Sequence, residues 1–210
     1  MTEKFEGTEG KGKRSSSEET ARGRKARRAK PPAEFLEWGS LPYRIGMGYD
    51  SHRFSEGRKL FLGGVKIDHP KGLLGHSDGD AVLHALIDAL LGASGLADIG
   101  QQFPPDDPQY KDADSFSLLL QAAEMIDKQG YRSVNVDITI ITEEPKIAPH
   151  TPAMRKRIME ALDLEPEQVS IKGKSNEGMG FIGRGEGVAV IASALLFKYK
   201  NRPGYKNLVR

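Results

Sequence analysis

Asp50 and His52 in GYDSH (48–52), and His84 in GHSDGDAVLHALIDALLG (75–92), are the residues whose types and spacing could do chemistry. Residues two apart on an extended strand point to the same side, so Asp50 and His52 can present a carboxylate and an imidazole together. His84 would join them from a helix, with Asp80 and Asp88 four residues to either side on roughly one face. Three such groups with a fourth position open make the arrangement of a catalytic zinc site. A D-x-H pair is as often an ordinary hydrogen-bonded pair, and a lone histidine at a helix–strand contact is more often satisfied than ligating. Two features favour the site: both segments lie beside glycine-rich turns, and the chain has only five histidines, two of them here.

Three further stretches offer groups that could act with them. Before the helix, His76 and backbone amides at a helix N-terminus suit an anion; Ser77 is the expected N-cap, with Asp80 in the capping-box position. Simple capping, with His76 exposed, explains the same residues. In KGKSNEGMGFIGRGEG (172–187), small residues let amides approach a phosphate, Lys174, Ser175 and Arg184 can donate to it, and Glu177 can hold a hard divalent cation. No Walker or dinucleotide spacing is present, and a glycine-rich hairpin or bulge fits equally well. Thr142–Ala148, TEEPKIA, is a turn whose exposed amides could read a base edge.

The elements that must position these groups are read from periodicity. Arg44–Asp50 is expected as a strand, and Lys59–Val65 as a second. The apolar spacing of Val82, Leu83, Leu86, Ile87, Leu90 and Leu91 predicts an amphipathic helix. Ala93–Ala113 reads as a long polar loop of the kind that is usually functional or mobile. A helix is expected over Ser115–Lys128, closed by Gly130, and a strand over Ser133–Thr142. A helix over Pro152–Leu162 and a short strand over Val169–Lys174 follow. Ser175–Gly187 reads as a glycine-rich loop, and Gly187–Phe197 as a buried strand whose Ala-Leu end could be helical. Strands and helices without strict alternation predict an α+β fold.

Composition bounds the rest. The 210 residues suffice for one domain with tails. Hydrophobic residues make up 38%, low enough to suggest an unstructured part. Cysteine is absent, which excludes disulfides and thiolate metal sites. No apolar run reaches a membrane span and no apolar secretory core opens the chain, so a cytoplasmic protein is expected. Residues 1–32 carry ten Lys/Arg against five Asp/Glu, and Lys198–Arg210 five against none. The 16 basic and 24 acidic residues between them give a net −8, compatible with binding divalent cations. We expect residues 1–43 to be a disordered basic tail and linker, with Phe35, Leu36 and Trp38 docking on the domain. The domain is expected over 44–198 and a second basic tail over 199–210. The run RGRKARRAK (22–30) offers nucleic acid only salt-dependent attraction, so a solvated tail is the plainer reading and a nucleic-acid partner is not expected.

RIGMGYDSH, LGGVKI, KGLLGHSDGDAVLHALIDALLGASGLADIG, FPPDDP, NVDITIITEEPKIAPH and KGKSNEGMGFIGRGEG together resemble the 2-C-methyl-D-erythritol 2,4-cyclodiphosphate synthase family of the non-mevalonate isoprenoid pathway. The resemblance covers about Arg44–Phe197. It implies a homotrimer of compact α+β subunits, each a sheet backed by helices on one face, with active sites between subunits. It implies a lyase acting on 4-diphosphocytidyl-2-C-methyl-D-erythritol 2-phosphate: the 2-phosphate attacks the β-phosphorus, CMP leaves and a cyclic diphosphate forms. Two divalent cations are implied, zinc and magnesium or manganese.

Residue by residue, the resemblance makes Asp50, His52 and His84 the zinc ligands and Glu177 the ligand of the second cation. His76 and Ser175 are its catalytic positions. Substrate contacts are implied at Asp50, Ser51, His52, His76 and Ser77. Asp98, Ile99 and Gly100 would hold the methylerythritol part, and Phe103, Pro104, Pro105, Asp106 and Asp107 would close on it. Thr142, Glu143, Glu144, Pro145, Lys146, Ile147 and Ala148, with Lys174, Ser175, Asn176 and Glu177, would form the cytidine pocket. Phe181 and Arg184 match positions near substrate and trimer axis. Lys174 and Ser175 stand where many members have threonine, and Pro105-Asp106 where many read Asp-Thr. The competing enzymatic reading is a zinc-dependent phosphoester hydrolase; the non-enzymatic one is a nucleic-acid binder driven by the basic tail.

Overall fold

The computed structural model describes residues 41–110 and 112–199. The expectations for the N-terminal tail, the docking of Phe35, Leu36 and Trp38, and the chain beyond Tyr199 lie outside the described residues.

Strand β1 (Tyr43–Glu56) owes its position to small residues on one side. A Cβ on Gly46 would stand 2.0 Å from the Ala89 carbonyl oxygen, and one on Gly48 equally close to that of Ala85. Only hydrogen at both positions lets helix α1 (Ala81–Ser94) lie directly on the strand. The alternate residues Tyr43, Ile45, Met47 and Tyr49 point away from the helix and are exposed. β1 runs past the expected Asp50 and carries both Asp50 and His52 in its middle.

The chain continues through β2 (Leu60–Leu62), β3 (Val65–Ile67), β4 (Lys71–Leu73), α1, α2 (Ile99–Gln102), α3 (Ser115–Lys128), β5 (Tyr131–Ile141), α4 (Thr151–Leu162), β6 (Val169–Lys174), α5 (Gly180–Gly183) and β7 (Gly187–Lys198). Five strands form one mixed sheet in the order β4-β1-β7-β5-β6. β5 and β6 are parallel; every other neighbouring pair is antiparallel. The core is the apolar side of α1, α3 and α4 against Val136, Ile138, Ile140, Val188, Val190 and Leu196 of the sheet. The α+β expectation holds.

Several boundaries differ from expectation. Lys59–Val65 is not one strand: Gly63 and Gly64, at φ 62° and 71°, fold it into the β2–β3 hairpin, since two successive positive φ angles make the tight turn that such strands favour. Lys71–Leu73 adds an edge strand beside Phe54–Glu56 of β1. The loop after α1 holds the short helix α2 and a 3-10 turn at Pro108–Tyr110. The glycine-rich loop contains α5. The Ala-Leu end of β7 is strand throughout, because β1 and β5 pair with it on both sides.

The cap of α1 is also corrected. Ser77 does not cap it; Gly79, at φ 76°, turns the chain so that Asp80 does, accepting from the Val82 and Leu83 amides at 3.1 Å each. These two amides are therefore satisfied by the helix's own carboxylate and are not free for an anion. No helix among the described residues is long and apolar enough to cross a membrane.

Candidate metal centre and substrate cleft

β1 and α1 bring Asp50, His52 and His84 together. Asp50 Oδ2 lies 2.9 Å from His52 Nδ1 and 3.0 Å from His84 Nδ1. One donor atom from each residue falls within 4.8 Å of the others, so the three make a group able to hold a metal ion. His52 Nδ1 is buried and, although close to Asp50, has no hydrogen-bond partner. A buried ring nitrogen without a partner is costly, and a cation facing this trio would relieve it. The donor set of two imidazoles and a carboxylate fits such an ion.

The charges are arranged to match. Burial works against ionisation of Asp50, but the close approach of His52 and His84 holds its carboxyl at about 2. For His84, burial disfavours the imidazolium, while the hydrogen bond and the charge of Asp50 outweigh it and raise the pKa above the usual value.

The trio opens into a cleft of about 260 Å³ that also takes His76, Ser77, Asp88, Ile99, Gly100, Phe103 and Pro105 into its walls. His76 is exposed and Ser77 is buried at its edge. Asp98 caps α2 by accepting from the Gln101 amide at 2.9 Å. Phe103 is buried edge-on against Tyr110, with ring centroids 5.4 Å apart. Pro104 is half-buried, while Asp106 is exposed and does not line the cleft. Asp107 is taken up locally, accepting from the Gln109 amide at 3.0 Å. Ser51 is exposed, its amide donating to Asp50 Oδ1 at 2.8 Å.

The remaining candidates gather elsewhere. Thr142–Ala148 and Lys174–Glu177 do not line this cleft. They meet one another: Glu143 Oε1 accepts from the Asn176 amide at 2.9 Å and from the Gly178 amide at 3.2 Å, and the Thr142 amide donates to the Lys174 carbonyl at 2.9 Å. Ile147 packs where a side chain on Gly173 would otherwise stand. The Glu144–Pro145 peptide is cis. Ser175 Oγ donates to Glu177 Oε1 at 2.5 Å, and both residues are exposed. Arg184 pairs with Glu186 at 2.6 Å, and Phe181 is exposed.

Four residues that the sequence reading did not single out as site residues support the cleft. Asp78 and Ser115 bind each other behind His84. Arg58 donates from Nη2 to the Ser77 carbonyl at 2.5 Å, bracing the turn that carries His76. Asp88 accepts from the Ile99 amide at 2.8 Å, tying α2 to α1. Only Asp88 carried a signal in the sequence, its four-residue spacing from His84.

Comparison with known proteins agrees with this geometry. The model of the YgbB family matches residues 43–197. A 2-C-methyl-D-erythritol 2,4-cyclodiphosphate synthase of Clostridium perfringens is 52% identical over 155 residues, 74% of this chain and 99% of the relative. That of Symbiobacterium thermophilum is 56% identical over 152 residues, 72% and 97% of the two chains. Among solved structures, the IspF protein of Plasmodium falciparum in complex with CDP is 38% identical, with a TM-score of 0.65 over 74% of this chain and 96% of that one. With its Asp50–His52–His84 trio, cleft and mixed sheet, this chain belongs to the YgbB family of 2-C-methyl-D-erythritol 2,4-cyclodiphosphate synthases.

Proposed function

We propose that this chain converts 4-diphosphocytidyl-2-C-methyl-D-erythritol 2-phosphate to 2-C-methyl-D-erythritol 2,4-cyclodiphosphate and CMP. An oxygen of the 2-phosphate attacks the β-phosphorus, a new P–O bond closes the ring, and the bond to the CMP phosphate breaks. The observation that carries the reading is the Asp50–His52–His84 trio opening into a cleft beside His76 and Ser77. A phosphate oxygen is already a nucleophile, so the protein's task is to fold one molecule back on itself; good orientation supplies on the order of 7–11 kcal/mol in favourable intramolecular cases. A bound divalent cation supplies neutralisation of the crowded phosphates and the leaving group.

Asp50, His52 and His84 would hold zinc, which their donor set suits, and Glu177 would hold magnesium or manganese with the substrate phosphates. His76 and Ser175 act as the catalytic donors. Asp98–Gly100 and Phe103–Asp107 hold the methylerythritol part, and Thr142–Ala148 with Lys174–Glu177 hold the cytidine. Pro105 lines the cleft without a hydrogen-bonding side chain, and the exposed Asp106 is the acid left to reach the substrate diol.

A homotrimer with sites between subunits is supported by two features. The metal cleft and the cytidine-side residues are separate within one subunit. The sheet face away from α1 exposes Ile45 at 80%, Met47 at 74% and Tyr49 at 55%, with Ile191 beside Tyr49 in register. Such a patch fits a subunit interface. The cysteine-free composition suits the cytoplasm.

The test is a mass-resolved assay of the wild type and His84→Ala in water enriched in heavy oxygen. CMP and cyclic diphosphate without label support the synthase; a labelled, ring-opened phosphate supports the hydrolase. Sedimentation of Ile45→Lys tests the trimer, which that variant should dissociate.

A further inference from the structure

Behind His84, on the side away from Asp50, lies a chain of polar groups that the reaction does not use. His84 Nε2 is 2.9 Å from Ser115 Oγ, and Ser115 Oγ is 2.5 Å from Asp78 Oδ1. Ser115 is fully buried, at 0% exposure. Asp78 also accepts from the Ser115 amide at 3.1 Å, which holds the serine in register at the first turn of α3.

The direction of this chain follows from the hydrogens available. An ionised carboxylate only accepts, so the single hydroxyl hydrogen of Ser115 goes to Asp78. Ser115 Oγ can then only accept from the ring, and Nε2 must carry the hydrogen. On the other side of the ring, Nδ1 faces Asp50 at 3.0 Å. Ser115 therefore requires a hydrogen on Nε2 whatever group faces Nδ1.

We propose that Asp78 and Ser115 are positioning residues that fix the tautomer of His84, keeping hydrogen on Nε2 and leaving the Nδ1 lone pair for the metal ion. The proposal rests on the reading of Asp50, His52 and His84 as ligands. A metal-bound histidine commonly gives its other N–H to a carboxylate or carbonyl; here a buried serine hydroxyl stands between ring and carboxylate. One consequence reaches the cleft. Ser77 Oγ, 3.1 Å from the same Nε2, can only share that single hydrogen with Ser115 Oγ as a second acceptor, and it accepts also from the Gly79 amide at 3.2 Å. Its own hydrogen is thereby left for an acceptor on the substrate.

The test uses the full chain freed of metal and titrated with zinc alone against a chromophoric chelator. Melting of the metal-free protein and long-range proton–nitrogen spectra of ring-labelled histidine are read in parallel. Ser115→Ala should bind zinc about 10-fold more weakly, within the 10–100-fold range for such partners, with the metal-free melting temperature close to wild type. In zinc-loaded wild type, His84 should show a protonated Nε2 and a metal-bound Nδ1. Wild-type zinc affinity in Ser115→Ala, with His84→Ala impaired, overturns the relay alone. Wild-type affinity in His84→Ala overturns the ligand reading and the relay with it. Should Ser115→Ala fail to fold, the wild-type spectrum decides: hydrogen on Nδ1 and metal on Nε2 overturns the proposal.

Discussion

Asp80 Oδ1 lies 2.8 Å from the amide of Gly63, which ties the first turn of α1 to the β2–β3 hairpin through one fully buried carboxylate. Its other oxygen accepts from Gly64 at 2.7 Å, and the Val82 and Leu83 amides complete the set. Asp80→Ala leaves four amides without their acceptor. We expect a loss of about 2–3 kcal/mol of stability, between the cost of a lost cap and that of unsatisfied buried donors. Chemical denaturation of the two proteins measures it.

The same carboxyl gives a pH signature. Burial pushes its pKa up to about 6, outweighing the backbone donors that favour the ionised form. Because the folded value is above the unfolded one, near 3.8, the part of the group's contribution that comes from binding its proton is full below pH 4 and is lost as pH rises through 6. Wild-type melting between pH 4 and 6 should carry this slope, and Asp80→Ala should lack it.

Ser77-x-x-Asp80 satisfies the capping pattern in sequence, but the positive φ of Gly79 shifts the helix start by three residues. Gly63-Gly64 carried a hairpin signal that the short, three-residue strands around it obscured. Period alone sufficed for α3, whose bounds match expectation, because its buried residues Leu118, Leu119, Ala122 and Ile126 lie on one stripe. The end of β7 was ambiguous because Ala and Leu suit either state, and its two sheet neighbours decided it. Asp50 and His52 were legible as a pair because a strand's alternation puts them on one side. The bonds of Ser115 to Asp78 and of Arg58 to Ser77 span 37 and 19 residues, and no local spacing encodes them.

Metal binding should weaken as pH falls. His84 holds its proton above the usual range, through the bond and charge of Asp50 acting against burial, and a metal ion must displace the proton on Nδ1. Zinc titrations across pH 5 to 8 should show affinity rising with pH until His84 has lost that proton. In the metal-free protein the pair acts with opposite signs. The Asp50 contribution is present above about 3.8 and lost as pH falls toward 2. The His84 contribution is present below 6.5 and lost as pH rises through its raised value.

Asp88 should act on substrate binding through Ile99. Its carboxylate accepts from the Ile99 amide at 2.8 Å, and the cleft wall at Ile99 and Gly100 depends on that tether. Asp88→Ala should raise KM about fivefold, the equivalent of about 1 kcal/mol for one hydrogen bond, with kcat less affected. Asp88→Asn keeps an acceptor oxygen and should restore KM. Steady-state kinetics of the three proteins would refute the tether if Asn and Ala behaved alike.

Gly48 links the fold to the metal trio. It is two residues from Asp50 on β1, and the Ala85 carbonyl that its Cβ would strike adjoins His84 on α1. With only 2.0 Å available, Gly48→Ala forces strand and helix apart, costing about 1–3 kcal/mol as overpacking does. The displacement should also draw His84 Nδ1 away from Asp50 Oδ2, so zinc affinity should fall along with stability. An alanine distant from the trio but equally destabilising, such as Leu162→Ala at the end of α4, should lower the melting temperature while leaving the zinc affinity of the folded protein unchanged. Equal losses of affinity in both variants would mean that Gly48 acts on stability alone and not on the spacing of Asp50 and His84.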